Sequence, residues 1–311
     1  MEKTQHIPVL ESEVLEYLQA AAGGNFLDCT LGGAGHTLAI LQANPKNTVT
    51  ASDRDERALK RAAVRLADHA SRVTLLHADF AALSGLLKDQ TFDGMLADLG
   101  ISTDQLKENR GFSFNDDAAL DMRMDESQGQ SAADIVNGAS AQQIFVLLKQ
   151  GGVGNEARAI ANAIVERRPY GTAKELAAVV NQTFARVARG KAAQKKVNPS
   201  TVVFQALRIA VNREFEHIES LMELAPRLIR SGGRIAIITF HSLEDRVVAR
   251  KMREWESGGE FSARSPGSMR AKRLGHVVER KGIEPSAEEV TRNPSARSAC
   301  LRVFEFSSID S

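Results

Sequence analysis

The chain has 311 residues, of which 43% are hydrophobic, and a formal net charge of +1. This length predicts a globular protein with a sizeable core, in one large domain or two smaller ones. Because no stretch approaches the ~18 apolar residues of a membrane span and the N-terminus lacks the layout of a signal peptide, we expect a cytoplasmic protein with no membrane partner.

The first part of the chain alternates strand-like and helix-like segments. Apolar runs bounded by turn residues predict strands at 25–31, 48–53, 72–79 and 92–100, and a fifth at 233–240. Helical patterns such as residues 56–70 separate the first three runs. This alternation predicts an α/β fold, a doubly wound domain with a parallel sheet.

The interval between the fourth and fifth strands is too long to be a crossover connection. It contains helical patterns at about 131–150, 155–168, 172–189 and 201–230, and Thr172 with Glu175 forms a capping-box sequence before the third. We therefore predict a helical insertion over residues 105–212. The sheet domain then comprises residues 1–104 and 213–311.

The C-terminal part begins with a predicted helix at 242–256, followed by a polar stretch at 257–275. Two strand-like runs follow at 275–283 and 299–306. Such a pair, antiparallel in one arrangement, is compatible with the core of a methyltransferase. The order of the strands does not follow from the pattern.

The glycine cluster after the first strand predicts a ligand site. In doubly wound folds the ligand binds at the carboxyl ends of the strands, beside the first turn. The dinucleotide fingerprint requires a third glycine, but Gly33, Ala34 and Gly35 are followed by Leu38 at that position, which disfavours NAD. A ligand without a phosphate, such as S-adenosylmethionine, needs only the close approach of the loop backbone.

Acidic residues end the first four predicted strands. Asp53 is placed to accept hydrogen bonds from the ribose hydroxyls, and Asp79 is placed to accept one from the adenine amino group. Asp28 is placed to hold the loop amides or the methionine ammonium. Phe80 offers an apolar face to the ring, and Asp98 lies beside the reactive end of the cofactor. A single aspartate at a strand end is commonly a turn former or a helix cap. Four at successive ends favour a cofactor site.

The chain has no cysteine near the fourth strand to attack a pyrimidine ring carbon. Cys29 and Cys300 lie on other strands without a C-x-x-C partner, so no disulfide or metal site is indicated. An exocyclic amine needs only hydrogen-bond acceptors, a role that suits Asp98. His241 and Ser242 follow the fifth strand at the same edge, where His241 either orients the acceptor or only bonds to backbone.

Basic residues are concentrated in the second half of the chain. Residues 1–150 contain 13 Lys and Arg against 21 Asp and Glu, whereas residues 151–311 contain 27 against 18. They cluster at 186–196 and 246–281. Such clusters suit the phosphates of a nucleic acid, but ordinary solvated faces are an equal explanation.

Motifs along the whole chain resemble the bacterial 16S ribosomal RNA cytosine-N4 methyltransferase family. They include "DCTLGGAGH" at 28–36, "DLGIS" at 98–102, "RGFSF" at 110–114, "LDMRMD" at 120–125, "FQALRIAVN" at 204–212 and "GGRIAIITFHSLEDR" at 232–246. The resemblance implies a class I, Rossmann-like methyltransferase core with an inserted helical domain. It also implies S-adenosylmethionine as cofactor and one cytidine of the decoding centre, near the ribosomal P site, as substrate.

The resemblance also assigns residues to the site. It implies cofactor contacts by Ala34, Gly35, His36, Asp53, Phe80, Asp98 and Gln105. We predict catalytic roles for Asp98, His241 and Ser242. The motifs at the start of the insertion and after the fifth strand supply candidate RNA contacts, which are Arg110, Phe112, Arg123 and Arg246. Phe112 is equally explained as core packing that docks the insertion.

The chain departs from the family pattern at several polar positions. These are Gly151–Gly154, Lys107, Val202, Ser295 and Cys300. The departures concern the RNA-contacting surface more than the cofactor site. Two alternatives therefore stay open, a divergent member with another RNA target and a non-catalytic ribosome-assembly factor. The sequence leaves monomer and homodimer equally open.

Overall fold

The computed structural model describes residues 8–100, 110–114, 117–126, 129–188, 198–258 and 272–307. The chain divides into two compact units. The first comprises Met1–Gly100 and Phe215–Ser311, and the second comprises Ile101–Glu214. Gln105, Lys107 and most of the basic cluster at 186–196 lie outside the described residues.

The first unit is built on a mixed sheet. In the described part of the chain it has seven strands in the order β3-β2-β1-β4-β5-β7-β6. Strands β1 to β5 are parallel, and β7 runs antiparallel to both β5 and β6. The strands are β1 Asn25–Asp28, β2 Thr48–Asp53, β3 Val73–His77, β4 Phe92–Asp98, β5 Ile229–Thr239, β6 Gly275–Val277 and β7 Cys300–Phe306. The predicted α/β fold class is confirmed.

Helices cover both faces of this sheet because neighbouring strand residues point to opposite sides. Leu27 and Met95 belong to one buried apolar cluster, whereas Phe26 and Leu96 belong to the other. The helices of this unit are α1 Glu11–Tyr17, α2 Gly35–Ala43, α3 Glu56–Arg65, α4 Phe80–Leu86, α10 Glu214–Leu228 (all but its first residue), α11 Ser242–Ser257 and α12 Ala287–Arg292. The inner parallel strands β1, β2, β4 and β5 are therefore largely buried, whereas the edge strand β3 is partly exposed.

The second unit is helical and has a core of its own. Its helices are α5 Ala132–Gly138, α6 Ala141–Gln150, α7 Ala157–Glu166, α8 Ala173–Val187 and α9 Pro199–Val211. Their apolar faces form a third buried cluster, and Val202 packs against its edge. A Cβ at Gly151 would collide with the Cα and Cβ of Ala206. The departure from the family pattern at Gly151 thus coincides with a close approach of α6 and α9.

Two predicted helical patterns are each divided into two helices. The pattern at 131–150 breaks before Ser140, which forms a capping box with Gln143 and starts α6. The pattern at 201–230 breaks at Arg213, whose φ is 49°. Hydrophobic periodicity alone does not reveal such breaks, because apolar residues recur at helical spacing on both sides of each break. The apolar face of α9 belongs to the core of the helical unit, whereas that of α10 belongs to one of the two clusters beside the sheet. The capping box of Thr172 and Glu175 is confirmed at the start of α8.

The strand predicted at 299–306 is confirmed as β7, but the strand predicted at 275–283 is shorter than expected. β6 ends at Val277, and beyond it only Ile283 forms an isolated bridge, to Leu301 of β7. Gly282, at φ 81°, turns the chain between these points. Among the helices that the structure describes, none combines the length and the apolar character needed to cross a membrane.

Candidate active site

The carboxyl ends of the central strands place three acidic residues along one edge of the sheet. Asp28 ends β1, Asp53 ends β2 and Asp98 ends β4. The order of the strands makes β1 the neighbour of both β2 and β4. The connections reverse direction at β1 and β4, the point where doubly wound sheets bind their ligands.

Asp28 is buried, and each of its carboxylate oxygens is hydrogen-bonded to the segment that follows β1. Its Oδ1 accepts a hydrogen bond from the Thr30 amide at 3.0 Å, and its Oδ2 accepts one from the Thr37 hydroxyl at 2.6 Å. Burial raises the pKa of Asp28, and these two hydrogen bonds oppose that effect. Asp28 therefore joins β1 to the start of α2, which agrees with the predicted role of holding loop amides.

Asp53 fixes the other side of the glycine loop. Its Oδ2 accepts a hydrogen bond from the Gly32 amide at 2.8 Å, and its Oδ1 accepts one from the Asp55 amide at 2.8 Å. Burial raises the pKa of Asp53, although both bonds favour its charged form. Because each carboxylate oxygen has two acceptor positions, Asp53 retains capacity for the hydroxyls of a ligand.

The glycine loop itself is tightly constrained. Gly32 and Ala34 have φ values of 48° and 60°, and Ala34 precedes the first residue of α2. A Cβ at Gly35 would lie 2.5 Å from Cγ of Pro8, so only glycine fits at this position. Arg65, at the end of α3, donates a hydrogen bond from Nη1 to the Gly33 carbonyl at 2.6 Å.

His36 lies beside Asp98. The ring of His36 is buried, and its Nε2 is 3.6 Å from Oδ2 of Asp98, an ion-pair distance longer than a hydrogen bond. Burial opposes protonation of His36, but the carboxylates of Asp98, Asp28 and Glu11 outweigh it and raise the pKa of His36 above its usual 6.5. The Asp98 amide donates to the Thr30 hydroxyl at 2.6 Å.

The two residues predicted for the adenine side lie after β3. Asp79 is the N-cap of α4, and its Oδ1 accepts a hydrogen bond from the Ala82 amide at 2.8 Å. Asp79 therefore acts as a helix cap, the common role of an aspartate at the end of a strand. Phe80 is half-buried and meets the ring of His217 edge to face, with centroids 6.1 Å apart.

His241 is the N-cap of α11. Its Nδ1 accepts a hydrogen bond from the Glu244 amide at 3.2 Å, which places the ring hydrogen on Nε2 in the neutral form. That Nε2 lies 3.1 Å from Oε1 of the buried Glu244, whose other oxygen accepts from the Phe240 amide at 3.0 Å. The ring thus has local backbone and carboxylate partners, while Ser242 and Arg246 are exposed.

The candidate RNA contacts of the helical unit are held by that unit's own loop. Nη1 of Arg110 points to the carbonyl oxygens of Arg123 and Met124, each 3.4 Å away. Arg123 donates from Nε and Nη2 to both oxygens of Asp121, at 2.9 and 2.7 Å. Phe112 is half-buried against the apolar core of the unit. RNA contacts by these residues stay predictions.

Comparison with known proteins places the chain in a family. Residues 3–307 match the sequence profile of the MraW methylase family. The chain belongs to the MraW methylase family. As a member of it, the chain is a methyltransferase, and its cofactor is S-adenosylmethionine.

Curated relatives in this family match the chain over nearly its whole length. The Ribosomal RNA small subunit methyltransferase H of Cyanothece sp. is 43% identical, over 96% of this chain and 94% of its own. The protein of the same name from Acidobacterium capsulatum is 39% identical, over 98% of this chain and 99% of its own. Among solved structures, a SAM-dependent O-methyltransferase from Thermotoga maritima is 10% identical with a TM-score of 0.41, over 97% of this chain and 66% of its own.

The donor set of the sheet edge fits S-adenosylmethionine as its cofactor. Asp53 keeps free acceptor positions, and Asp98 Oδ1 is buried and has no hydrogen-bond partner among the described residues. Buried polar atoms without partners are uncommon in proteins, and at a strand edge they indicate a place for a polar ligand. Leu38, at the third fingerprint position, instead packs into the apolar cluster behind α2.

Sequence reasoning missed three residues that shape this edge. Thr30 and Thr37 fall inside or just after the glycine motif, and a hydroxyl following a strand-end acid was the available signal. Arg65 had no signal in the sequence, because its partner Gly33 lies 32 residues away.

Proposed function

We propose that the chain transfers a methyl group from S-adenosylmethionine to the exocyclic N4 amine of a cytidine in 16S ribosomal RNA. The names and the coverage of its relatives support ribosomal RNA of the small subunit as the substrate. The observation that carries the reaction type is the unpartnered Oδ1 of Asp98 at the end of β4. The target cytidine lies at the decoding centre, near the P site, and the reaction takes place in the cytoplasm.

The cofactor is held by the glycine loop and by the strand ends beside it. Asp53 accepts the ribose hydroxyls with the lone pairs that its two backbone bonds leave. Asp79 and Phe80 contact the adenine of the cofactor. The family resemblance assigns a further cofactor contact to Gln105. The backbone of Gly33, Ala34 and Gly35 approaches the methionine part, while Asp28 keeps that loop in place through Thr30 and Thr37.

Asp98 prepares the acceptor amine for reaction. Bound S-adenosylmethionine supplies an electrophilic methyl group on a sulfonium sulfur. Asp98 Oδ1 accepts a hydrogen bond from the amine and thereby aims the nitrogen lone pair. As the nitrogen–carbon bond forms and the carbon–sulfur pair returns to sulfur, Asp98 Oδ1 takes the proton that the nitrogen loses.

Residues on the exposed surface position the RNA. Ser242 and Arg246 at the start of α11 are exposed and are available to phosphates, whereas His241 orients this helix start through Glu244. In the helical unit, Arg123 and Phe112 are the proposed RNA contacts, and Arg110 supports their loop through Glu126 and the carbonyl groups of Arg123 and Met124. Phosphate contacts of this kind position an RNA without reading its sequence.

The test is methyl transfer from labelled cofactor to small ribosomal subunits isolated from cells that lack this protein. We expect one labelled cytidine, located by mass spectrometry of the ribosomal RNA. Asp98→Asn keeps the size of the side chain but removes its charge, and we expect it to lose at least about a hundredfold in rate. Ribosome association without any methylated cytidine would instead support the assembly-factor alternative.

A further inference from the structure

The contact between His36 and Asp98 is the least satisfied polar pair on the sheet edge. The side chain of His36 is 8% exposed, yet neither ring nitrogen has a hydrogen-bond partner within the described part of the chain. The same holds for Asp98 Oδ1. Since unpartnered buried atoms destabilise a folded protein, their presence here calls for a functional explanation.

The surrounding contacts fix the backbone of Asp98 but leave the orientation of its carboxylate to His36. The Asp98 amide is held by the Thr30 hydroxyl at 2.6 Å. The nearby Asp28 has both oxygens engaged, by Thr30 and by Thr37. Among the described residues, the Asp98 carboxylate pairs with His36, whose Nε2 lies 3.6 Å from Oδ2.

The charges around His36 favour this arrangement. Asp98 faces the ring from β4, Asp28 from β1 and Glu11 from α1. Burial disfavours the charged ring, but these three carboxylates together raise the pKa of His36. When the ring is charged, both of its nitrogens carry a hydrogen, and Nε2 then forms an ion pair with Oδ2 of Asp98 at 3.6 Å.

We propose that the imidazole of His36 is a positioning residue for the methyl acceptor: Nε2, 3.6 Å from Asp98 Oδ2, pairs with that oxygen and leaves Oδ1 to the incoming amine. This inference rests on the proposed function. It separates two parts of His36. The backbone belongs to the cofactor loop, whereas the side chain acts through Asp98 on the acceptor.

Two substitutions of similar size distinguish the two ring nitrogens. The amide nitrogen of Gln reaches close to the place of Nε2, whereas the shorter Asn places its amide near Nδ1. We expect His36→Gln to keep the methyl-transfer rate at saturating cofactor within about threefold of the wild type, and His36→Asn to lose about tenfold to a hundredfold. The Kd for S-adenosylmethionine, measured by titration calorimetry, should change by less than about twofold in both variants.

Three results would overturn the inference. Equal losses of rate in both variants would show that the Nε2 position has no special part. A weaker Kd for S-adenosylmethionine with an unchanged rate at saturation would make the side chain a cofactor contact. A lower midpoint of thermal unfolding for His36→Asn that accounts for its lost activity would leave only a structural role.

The proposed function fails in a different way. If the wild-type protein methylates no RNA of the small subunit, the proposed function is wrong, and the inference is wrong with it. If the wild-type protein is active on that RNA and the two variants are indistinguishable, only the inference about His36 is wrong.

Discussion

Thr30→Val tests how the sheet edge places Asp98. The Thr30 hydroxyl accepts the Asp98 amide at 2.6 Å, and the Thr30 amide donates to Asp28 Oδ1 at 3.0 Å. Valine has nearly the same shape and keeps the backbone amide, so the contact with Asp28 survives. Only the acceptor for the Asp98 amide is lost, so the end of β4 is held on the side of β5 alone.

The magnitude follows from that single hydrogen bond. The Asp98 amide is partly buried, and leaving it without a partner costs about 1 to 2 kcal/mol of folding free energy. In a chain of this size each kcal/mol lowers the midpoint of thermal unfolding by roughly 2 to 4 °C. A displacement of the carboxylate by about 1 Å would lower the methyl-transfer rate up to about a hundredfold, so we expect a loss of at least about tenfold.

The assay compares Thr30→Val with Thr30→Ser, which keeps the hydroxyl. Methyl transfer to small subunits gives the rate, calorimetry gives the cofactor Kd, and thermal unfolding gives the stability. We expect the serine variant to retain most of the rate and the valine variant to lose it, with a cofactor Kd close to that of the wild type. A valine variant with the wild-type rate, or a serine variant equally slow, would refute this account of Asp98.

Three further perturbations probe other parts of the molecule. Asn212→Ala leaves two buried backbone groups, the Met124 amide and the Met122 carbonyl, without their side-chain partner, and should lower the stability by about 2 to 4 kcal/mol in denaturant titrations without changing the cofactor Kd. Arg65→Met removes the donor to the Gly33 carbonyl and should raise the cofactor Kd about tenfold, as measured by calorimetry. The control Lys60→Met, at an exposed position of the same helix, should leave the cofactor Kd unchanged. The pKa of His36 is raised in the folded state, so its charge contributes stability that is fully present below about pH 6.5 and is lost as the pH rises through the folded pKa. The difference in stability between the wild type and His36→Gln, measured by urea unfolding, should therefore shrink from about pH 6 to about pH 9.

The position of the site was predictable because strand periodicity locates the ends of strands. Once the parallel sheet was inferred, Asp28, Asp53 and Asp98 had to share one edge, and the structure places them there. The spacing of the glycines likewise fixed the turn before α2. Such features depend on neighbours in sequence, and a local pattern is sufficient to find them.

The partners of these acids were not predictable in the same way. The sequence does not tell whether a strand-end carboxylate faces a ligand or satisfies its own backbone. Asp79 caps α4 and Asp28 holds Thr30 and Thr37, whereas Asp98 Oδ1 has no partner among the described residues. The division is decided by packing of elements distant in sequence, as the contact of Arg65 with Gly33 illustrates.

The helical unit shows the same limit from another side. Arg110 and Arg123 are candidate RNA contacts because they are basic residues in the motifs at the start of the insertion. Arg123 is paired with Asp121, and Arg110 lies against carbonyl groups of its own loop. The residue that fixes this loop is Asn212, whose side chain accepts from the Met124 amide and donates to the Met122 carbonyl, both at 2.8 Å. Asn212 ends the motif at 204–212, but a motif does not reveal which distant backbone groups its residues contact.

The distribution of satisfied and unsatisfied groups explains how one edge can both bind and react. Asp28, Asp53 and Arg65 saturate the glycine loop with internal bonds, so the loop needs little ordering when a cofactor arrives, and less binding energy is lost to entropy. Asp98 Oδ1 and the ring nitrogens of His36 are the opposite case, because they are buried without hydrogen-bond partners in the part of the chain that the structure describes. An acceptor that is already desolvated and already aimed needs no reorganisation when the amine begins to lose its proton. Under the proposed function, the same buried atoms that cost folding free energy are the ones that meet the acceptor amine.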